Sequence, residues 1–319
     1  MGLRLSVRRQ PWLQALHAQA RDIPGLMPVV KGNGYGFGRP VLAPIAATLA
    51  PNIAVGTVFE TAEVPPTHTP YVLTPHVDLL PSHLATNSVL TVGSIDHVRT
   101  LRHQDWRGSV SIKLRSNMNR YGVAPADLAD LIAAIADAGL VPVGYTLHFA
   151  LAGEMHERVA QLSAWLPRLD PTLPVALSHL DDATYLGVLA AHPERVFHLR
   201  RGTALWHHDK SLLQLSADVT DQHGVQAGDT CGYRNTVIAA NGHVVLVAAG
   251  SSHGVRPLPD GRSPFHFARQ RISMIESPHM HTSMLFIPLG HPRPAFGDRV
   301  DVQRPLIETL VDYVEWLDD

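Results

Sequence analysis

Short runs of apolar residues recur at a fairly even spacing along the chain as far as residue 206, and they alternate with segments of helical periodicity. Because the runs are continuously hydrophobic, they are typical of strands buried on both faces of a parallel sheet. Between them, segments such as 125–139 and 156–169 space their apolar residues three and four positions apart, which predicts amphipathic helices. The eight runs lie at residues 26–32, 52–58, 70–76, 88–94, 109–115, 142–149, 174–180 and 196–206.

Eight strand and helix units within about 200 residues predict an α/β protein with a (β/α)8 TIM barrel, in which ligands bind where the strands end. The pattern changes after residue 212, where β-branched runs and turn residues take over. We therefore expect two domains, a ligand-binding barrel over residues 1–212 and a smaller β-rich C-terminal domain over residues 213–319.

Three features are informative within the second domain. The Asn241-Gly242 pair between β-branched runs predicts a hairpin, and the segment 297–302 predicts another strand. The tail at 307–319 fits a short amphipathic helix or a final strand, and its periodicity does not decide between them.

Composition excludes several classes of function. The 319 residues carry a formal net charge of -2, and no apolar stretch has the length of a membrane span, so we expect neither a nucleic-acid nor a membrane partner. The single cysteine, Cys231, provides neither an intramolecular disulfide nor a zinc cage, and the first residues lack the apolar run of a signal peptide. We therefore expect a cytoplasmic protein.

Lysine is scarce, since Lys31, Lys113 and Lys210 are the only lysines among 26 Lys and Arg residues. Lys31 closes the first apolar run, and glycines alternate with other residues over positions 32–38. A lysine at the mouth of a barrel loses hydration, which lowers its pKa and raises the fraction of free amine that can bond to a carbonyl carbon. An ordinary surface lysine in a glycine-rich turn is the alternative, and spacing alone leaves both open.

The segment VVKGNGYGFG around Lys31 resembles the pyridoxal-phosphate lysine motif of the alanine racemase family, VVKANAYGHG. Segments similar to other landmarks of that family follow in the same order. The resemblance implies a barrel with a β-rich domain, pyridoxal 5'-phosphate as cofactor, a homodimer with shared active sites, and an isomerase acting at Cα of a small amino acid. The further matches are KLRSNMNRYG (113–122), GYTLHFA (144–150), SHLDDA (178–183), RRGTALW (200–206) and, more loosely, 228–236 and 278–284.

The matched residues imply a cofactor site. Lys31 would bind the cofactor covalently and then act as a base at Cα. Arg200 would donate to the pyridine nitrogen, and because a guanidinium keeps its proton, that nitrogen would stay unprotonated. The Tyr35 hydroxyl and the backbone amides of Gly202 and Thr203 would hold the phosphate.

Further matches imply supporting and substrate contacts. His148 would support Arg200 and the cofactor ring, and Arg120 would contact the substrate carboxylate or the ring oxygen. The backbone amide of Met280 would lie near the substrate carboxylate. Lys113 matches a position that is a carbamylated lysine in many members of the family.

The sequence departs from the family at the second acid/base group. The family uses a tyrosine from the other subunit, and the ungapped match places Ser251 there, although an unassisted serine hydroxyl is a poor proton shuttle near neutral pH. His253 is a candidate replacement, but a surface histidine fits the pattern equally well. Ala183 and His281 also replace family residues. We therefore expect the cofactor site to be kept and racemisation to be altered or lost.

Two alternatives stay open. His279 and His281 form an H-x-H pair, which on one strand would point both rings to the same side, as a divalent metal requires. That pair would suit a metal-assisted pyridoxal-phosphate lyase acting on a D-hydroxy amino acid. The other alternative is a non-catalytic pyridoxal-phosphate-binding protein. We take the isomerase as the leading hypothesis and assign no metal ligands.

Overall fold

The computed structural model describes residues 2–318 and confirms the predicted barrel. Six of its parallel strands pair in one sheet and two in another, and the parallel bridges Val29 to Ala54 and Tyr71 to Val89 join the two sheets. Each of the eight apolar runs therefore supplies one strand. After a first strand β1 (Leu3–Arg8), the barrel strands are β2 (Leu26–Pro28), β3 (Asn52–Val55), β4 (Thr69–Val72), β5 (Leu90–Val92), β6 (Ser109–Leu114), β7 (Val141–Leu147), β8 (Val175–Ser178) and β9 (Phe197–Arg201).

The helices follow the predicted periodicity except in two places. Between β3 and β4 there is only a 3-10 helix, Val58–Glu63, and the segment 73–89 between β4 and β5 contains no helix. Pro75 and Pro81 in that segment lack the N–H group that a helix interior requires. Two of the eight strand and helix units of the barrel therefore lack an α-helix. The helices are α1 (Arg9–Asp22), α2 (Arg39–Ala47), α3 (Ile95–His103), α4 (Leu128–Asp137), α5 (Met155–Trp165), α6 (Asp182–Ala191) and α7 (Thr203–Trp206).

The chain forms two compact units that are not consecutive ranges. The barrel unit comprises Ala15–Gly32 and Arg39–Trp206, and the β-rich unit comprises Met1–Gln14, Asn33–Gly38 and His207–Asp319. Strand β1 belongs to the β-rich unit because it pairs with strands near the C-terminus. The division at residues 212 and 213 lies close to the transition at His207 but leaves out these N-terminal segments.

The β-rich unit is built on a nine-stranded sheet. Strand β1 pairs antiparallel with β10 and parallel with β19, and the central order is β15, β14, β18, β10, β13, β17, β16. A separate pair is formed by β11 and β12. The strands are β10 (Leu213–Val225), β11 (Thr230–Cys231), β12 (Thr236–Val237), β13 (Gly242–Val247), β14 (Phe265–Phe267), β15 (Gln270–Arg271), β16 (Ser273–Met274), β17 (Ser283–Pro288), β18 (Arg299–Val302) and β19 (Tyr313–Leu317).

The structure tests three sequence predictions for this unit: the tail, the strand near 297–302 and the hairpin. The tail is a strand, β19, and the segment 297–302 contains β18 as expected. The hairpin at Asn241-Gly242 is wrong, because β13 pairs with β10 and β17 rather than with the strand before it. Gly242 instead allows β13 to lie close to β17, since a Cβ at this position would collide with the Ile287 carbonyl oxygen and the Phe286 ring.

Candidate active site

Basic side chains converge where the barrel strands end. Lys31 follows β2, Lys113 is the penultimate residue of β6, Arg200 is the penultimate residue of β9, and His148 follows β7. Because the carboxyl ends of parallel barrel strands lie on the same face, the fold gathers residues that are far apart in sequence. The charges of Arg120, Arg200 and Lys113 lower the pKa values of basic side chains near them, so these residues lie close together.

Lys31 carries an amine of lowered basicity. Partial desolvation lowers its pKa, the charges of Arg120 and Arg200 lower it further, and the Glu60 carboxylate acts in the opposite direction. The Glu60 oxygens accept hydrogen bonds from the Gly56 amide at 2.6 Å and the Gly32 amide at 3.1 Å. Glu60 therefore joins the loops after β2 and β3, and it fixes the backbone next to Lys31.

Lys113 and Arg200 are buried cations. Their exposed fractions are 4% and 5%, and no carboxylate lies within ion-pair distance of either in the described part of the chain. Burial places the pKa of Lys113 well below its usual value, with added effects of Arg200 and Arg120, and lowers the pKa of Arg200 to about 10. Arg200 donates from Nη2 to the Leu147 carbonyl at 3.0 Å, whereas its buried Nε has no hydrogen-bond partner in the structure of residues 2–318.

A small cavity opens beside these cations. Its walls include Lys113, Arg120 and His148, together with Ser116, Met118 and Tyr121. The Ser116 hydroxyl donates to the His148 carbonyl at 2.6 Å and so ties the loop that carries Arg120 to the end of β7. The barrel therefore provides a polar, positively charged recess of the kind that binds anions.

His148 and His179 form a pair of neutral imidazoles at the same strand ends. Their Nε2 atoms lie 3.3 Å apart, and the His148 Nδ1 lies 2.9 Å from the Ser178 hydroxyl. Burial, followed by the charges of Arg200 and other basic neighbours, lowers the pKa of His148 to about 2 and that of His179 to about 4. The pair therefore stays uncharged at neutral pH among the cations.

We expect the His148 imidazole to remain neutral at pH 5 in the folded protein. The His148 ring takes up a proton near pH 6.5 in the unfolded chain but only near pH 2 in the folded protein. The unfolded state therefore binds more protons between these two values. The contribution of His148 to the free energy of unfolding is fully present above pH 6.5 and is lost as the pH falls towards 2. A pH titration of the ring resonances by NMR measures this directly. A His148 midpoint near 6.5 would contradict the buried, cation-rich environment.

We expect Lys113→Met to stabilise the cofactor-free protein at neutral pH. The unfolded chain keeps the lysine protonated up to about its usual pKa of 10.5, while the folded protein releases that proton at lower pH. Because the unfolded state then binds more protons, the wild-type protein gains stability as pH rises, and the advantage of the variant should shrink. Urea unfolding followed by circular dichroism at pH 7 and pH 10 checks this, and an advantage that does not change with pH would refute it.

A second cluster lies in the β-rich unit around the turn that carries Ser251. A Cβ at Gly250 would collide with the carbonyl oxygens of His279 and Met280, so only glycine allows this close approach. The Ser251 amide donates to the His279 carbonyl at 2.7 Å, and the Ser252 amide donates to the Met280 carbonyl at 3.0 Å. Ser251 and Met280 are both exposed, and these backbone hydrogen bonds bring their segments together.

His253 is buried and engaged at both ring nitrogens. Its Nδ1 accepts from the Gly250 amide at 3.0 Å, and its Nε2 lies 3.2 Å from the Asp312 carboxylate. Asp312 also accepts from the Leu3 amide at 2.7 Å. In this geometry His253 fastens the Ser251 turn to the strands beside it and presents no free ring nitrogen.

The H-x-H pair does not lie on a strand. His279 and His281 precede β17, which begins at Ser283, and their rings contact different groups, Glu276 and Ser252. The expectation that both rings project from one strand is therefore wrong. Within residues 2–318, no three His, Cys, Asp or Glu side chains come together in an arrangement that could hold a metal ion.

The predicted phosphate ligands are found in two segments. Tyr35 is buried in a 3-10 turn, Gly34–Gly36, with φ of 55°, and its carbonyl accepts from His207 Nε2 at 2.7 Å. Gly202 follows β9, and Thr203 begins α7. Tyr35 belongs to the β-rich unit and the other two to the barrel unit.

Sequence reasoning missed three residues of these clusters. Glu60 accepts from the Gly32 amide next to Lys31, His179 contacts His148, and Glu276 contacts His279 of the H-x-H pair. A signal existed for the first two, since each follows a barrel strand at its carboxyl end. Glu276 lies three residues before His279, and nothing in that spacing alone distinguishes it from other acidic residues.

Comparison with known proteins is consistent with this architecture. Residues 12–208, more than half of the chain, match the profile of the alanine racemase N-terminal domain. The chain belongs to the alanine racemase family. The alanine racemase of Streptococcus mutans is 26% identical over 264 residues, which cover 71% of this chain and 67% of that protein.

Solved structures of this family share the fold. The alanine racemase of Bacillus anthracis, solved with bound L-Ala-P, is similar with a TM-score of 0.74 at 21% identity over 94% of this chain and 85% of that one. The alanine racemase of Bartonella henselae, solved with covalently bound pyridoxal phosphate, is similar with a TM-score of 0.71 at 17% identity over 96% and 91% of the two chains. Among residues 2–318, no helix is both long and apolar enough to span a membrane.

Proposed function

We propose that this member of the alanine racemase family is a pyridoxal-phosphate-dependent isomerase of the racemase type, acting at Cα of a small amino acid. The observation that supports it most is the group of cations at the carboxyl end of the barrel. A lysine amine of lowered pKa stands there beside two buried cations that have no carboxylate partner among the described residues.

The donor set fits an anionic cofactor. Lys31, Lys113, Arg120 and Arg200 are basic side chains, and the Glu60 carboxylate beside them already accepts hydrogen bonds from two backbone amides. The buried, unpartnered Nε of Arg200 is a further donor that awaits an acceptor. Pyridoxal phosphate, when bound, supplies a carbonyl that can bond to an amine and a ring that stabilises negative charge at Cα.

Lys31 is the covalent anchor and one proton acceptor. Its lowered pKa increases the fraction of neutral amine, which is the form that attacks a carbonyl and removes a proton. The hydrogen bonds that Glu60 accepts from Gly32 and Gly56 hold the backbone next to Lys31 in place.

The remaining barrel residues bind and orient. Arg200, with a pKa of about 10, stays protonated at neutral pH and would donate to the ring nitrogen of the cofactor without giving up its proton. His148, held neutral by its surroundings, fills the adjacent space without adding charge. Arg120 would pair with the substrate carboxylate, and the Tyr35 hydroxyl and the amides of Gly202 and Thr203 would donate to the phosphate.

We further propose a cytoplasmic homodimer with shared active sites. The β-rich unit of one copy would contribute Ser251, with the Met280 amide towards the substrate carboxylate, to the site of the other copy. His253 supports that turn through Gly250 and Asp312.

Hydrogen exchange at Cα tests this function. Purified protein loaded with pyridoxal 5'-phosphate is incubated in deuterated water with L-alanine, and the product is analysed by NMR and chiral chromatography. Deuterium at Cα in D-alanine supports racemisation. Exchange with retained configuration would indicate chemistry on one face, and no exchange with any small amino acid would favour a cofactor-binding protein without this activity.

A further inference from the structure

The side chains of Glu276 and His279 form a carboxylate and imidazole pair in the β-rich unit. The His279 Nε2 lies 2.5 Å from Glu276 Oε1, and the exposed fractions of the two side chains are 21% and 7%. The same carboxylate accepts from the backbone amides of Tyr233 at 2.9 Å and Arg234 at 3.2 Å. Glu276 is therefore held in place independently of the histidine.

This arrangement orients one nitrogen of the ring and leaves the other available. Glu276 remains ionised at neutral pH, because hydrogen bonds from His279, Tyr233 and Arg234 lower its pKa. In the neutral form of the ring the carboxylate accepts the Nε2 proton, which leaves the Nδ1 lone pair free. Nδ1 has no hydrogen-bond partner within residues 2–318, and the Tyr233 ring covers the imidazole with centroids 4.2 Å apart. A largely buried carboxylate that fixes the tautomer of a partly exposed histidine is the arrangement used by general bases.

The other histidines near the two clusters are less suited to proton transfer. Low pKa values keep His148 and His179 neutral and make them weak bases. Both nitrogens of His253 are hydrogen-bonded inside the unit. His281 is exposed, its Nδ1 lies 3.0 Å from the Ser252 hydroxyl, and no carboxylate of the described residues lies within ion-pair distance of its ring, in contrast to His279.

The position of His279 links it to the altered turn. Its carbonyl accepts the Ser251 amide at 2.7 Å, and the glycine before Ser251 allows the two backbones to touch. Racemisation needs a proton to leave one face of Cα and another to arrive on the opposite face, so it needs a second group besides Lys31. A serine hydroxyl alone does not supply it near neutral pH.

We propose that His279, positioned by Glu276, is the acid/base group that serves the face of the substrate opposite Lys31. This inference rests on the proposed function, including the contribution of the β-rich unit of a second copy. In one direction the Cα–H bond breaks, its proton passes to His279 Nδ1, the electron pair stays with the substrate, and the protonated Lys31 amine delivers a proton to the opposite face. In the other direction the Lys31 amine removes the Cα proton, Nδ1–H of the protonated ring delivers a proton to the opposite face, and the ring regains a proton from solvent.

Exchange measured separately on each enantiomer tests the assignment. Holoenzyme in deuterated water is given L-alanine or D-alanine, and loss of the Cα proton is followed by NMR for the wild type, His279→Ala, His279→Gln and Glu276→Gln. His291→Ala, in an exposed turn of the same unit, is the matched control. We expect both His279 variants to lose exchange of one enantiomer by about 10²- to 10⁴-fold while exchange of the other stays near the wild-type rate, and added imidazole to restore part of the loss in His279→Ala.

The outcomes separate the two proposals. Wild-type exchange of both enantiomers with unchanged or equally reduced rates in the His279 variants would overturn the role of His279 but keep the proposed function. A wild type that exchanges neither enantiomer would overturn both. In cofactor-free protein, nitrogen NMR should show His279 protonated at Nε2 and not at Nδ1, and Glu276→Gln should remove that preference. The opposite tautomer in the wild type would overturn the assignment without reference to activity.

Discussion

We expect Lys31→Ala to lower the rate of Cα-proton exchange by about 10²- to 10⁴-fold, the range that a positioned proton acceptor contributes. The physical reason is that the variant lacks the amine of lowered pKa at the end of β2, while Arg200, His148 and Lys113 remain. Cofactor held by noncovalent contacts alone should then be lost on gel filtration. Deuterium uptake by L-alanine and by D-alanine, measured by NMR on the loaded variant, gives the rate.

Two further variants make this result specific. Lys210→Ala removes an exposed lysine in a 3-10 turn of the β-rich unit and should exchange at the wild-type rate. Lys31→Arg keeps the positive charge but removes the neutral amine, so it should be as inactive as the alanine variant. If Lys31→Ala keeps more than about a tenth of the wild-type rate, the assignment of Lys31 as anchor and base fails.

The largest loss of stability should come from Trp206→Ala. The Trp206 side chain is fully buried, and its indole Nε1 donates to the Val29 carbonyl at 2.7 Å. The Val29 amide in turn donates to the Arg201 carbonyl at 2.8 Å, so the indole packs where the strands that carry Lys31 and Arg200 meet. Truncating a buried tryptophan leaves a cavity and costs about 3–5 kcal/mol.

Trp206→Phe is the matched control for that loss. Phenylalanine keeps much of the buried ring but has no N–H group, so the cost should fall to about 1–3 kcal/mol, the penalty of an unsatisfied buried carbonyl. Urea unfolding followed by far-ultraviolet circular dichroism measures the free energy of unfolding for both variants. An alanine variant within about 1 kcal/mol of the wild type would show that this contact does not secure the strand end.

The barrel could be predicted because its strands leave a local trace in the sequence. Strands β5 and β8 are buried along their whole length, and such strands appear as unbroken apolar runs. The place of Lys31 at the barrel mouth followed from the same pattern, because a charge directly after such a run must lie at a strand end.

Long-range pairing left no such trace. Strand β1 pairs with β10 and β19 of the β-rich unit, and no local pattern in Leu3–Arg8 predicts pairing with strands hundreds of residues away. The Asn241-Gly242 pair is a strong turn signal, but the pairing of β13 with β10 and β17 prevailed over it. Local propensity was overridden in both cases by tertiary pairing.

The candidate site could also be predicted only in part. The cationic group around Lys31 was found by position and residue type, while the hydrogen bonds that decide what each histidine can do depend on tertiary contacts. His253 and His279 look alike in the sequence, yet the first has both nitrogens engaged and the second has one nitrogen free among the described residues.

The proposal that Lys31 binds the cofactor covalently can be tested by mapping the attachment site. Wild-type protein is incubated with pyridoxal 5'-phosphate, reduced with borohydride, digested and analysed by mass spectrometry. We expect the reduced cofactor to be attached to Lys31 and Lys113 and Lys210 to remain unmodified. Stoichiometric attachment to either of the other lysines, or no attachment at all, would contradict it.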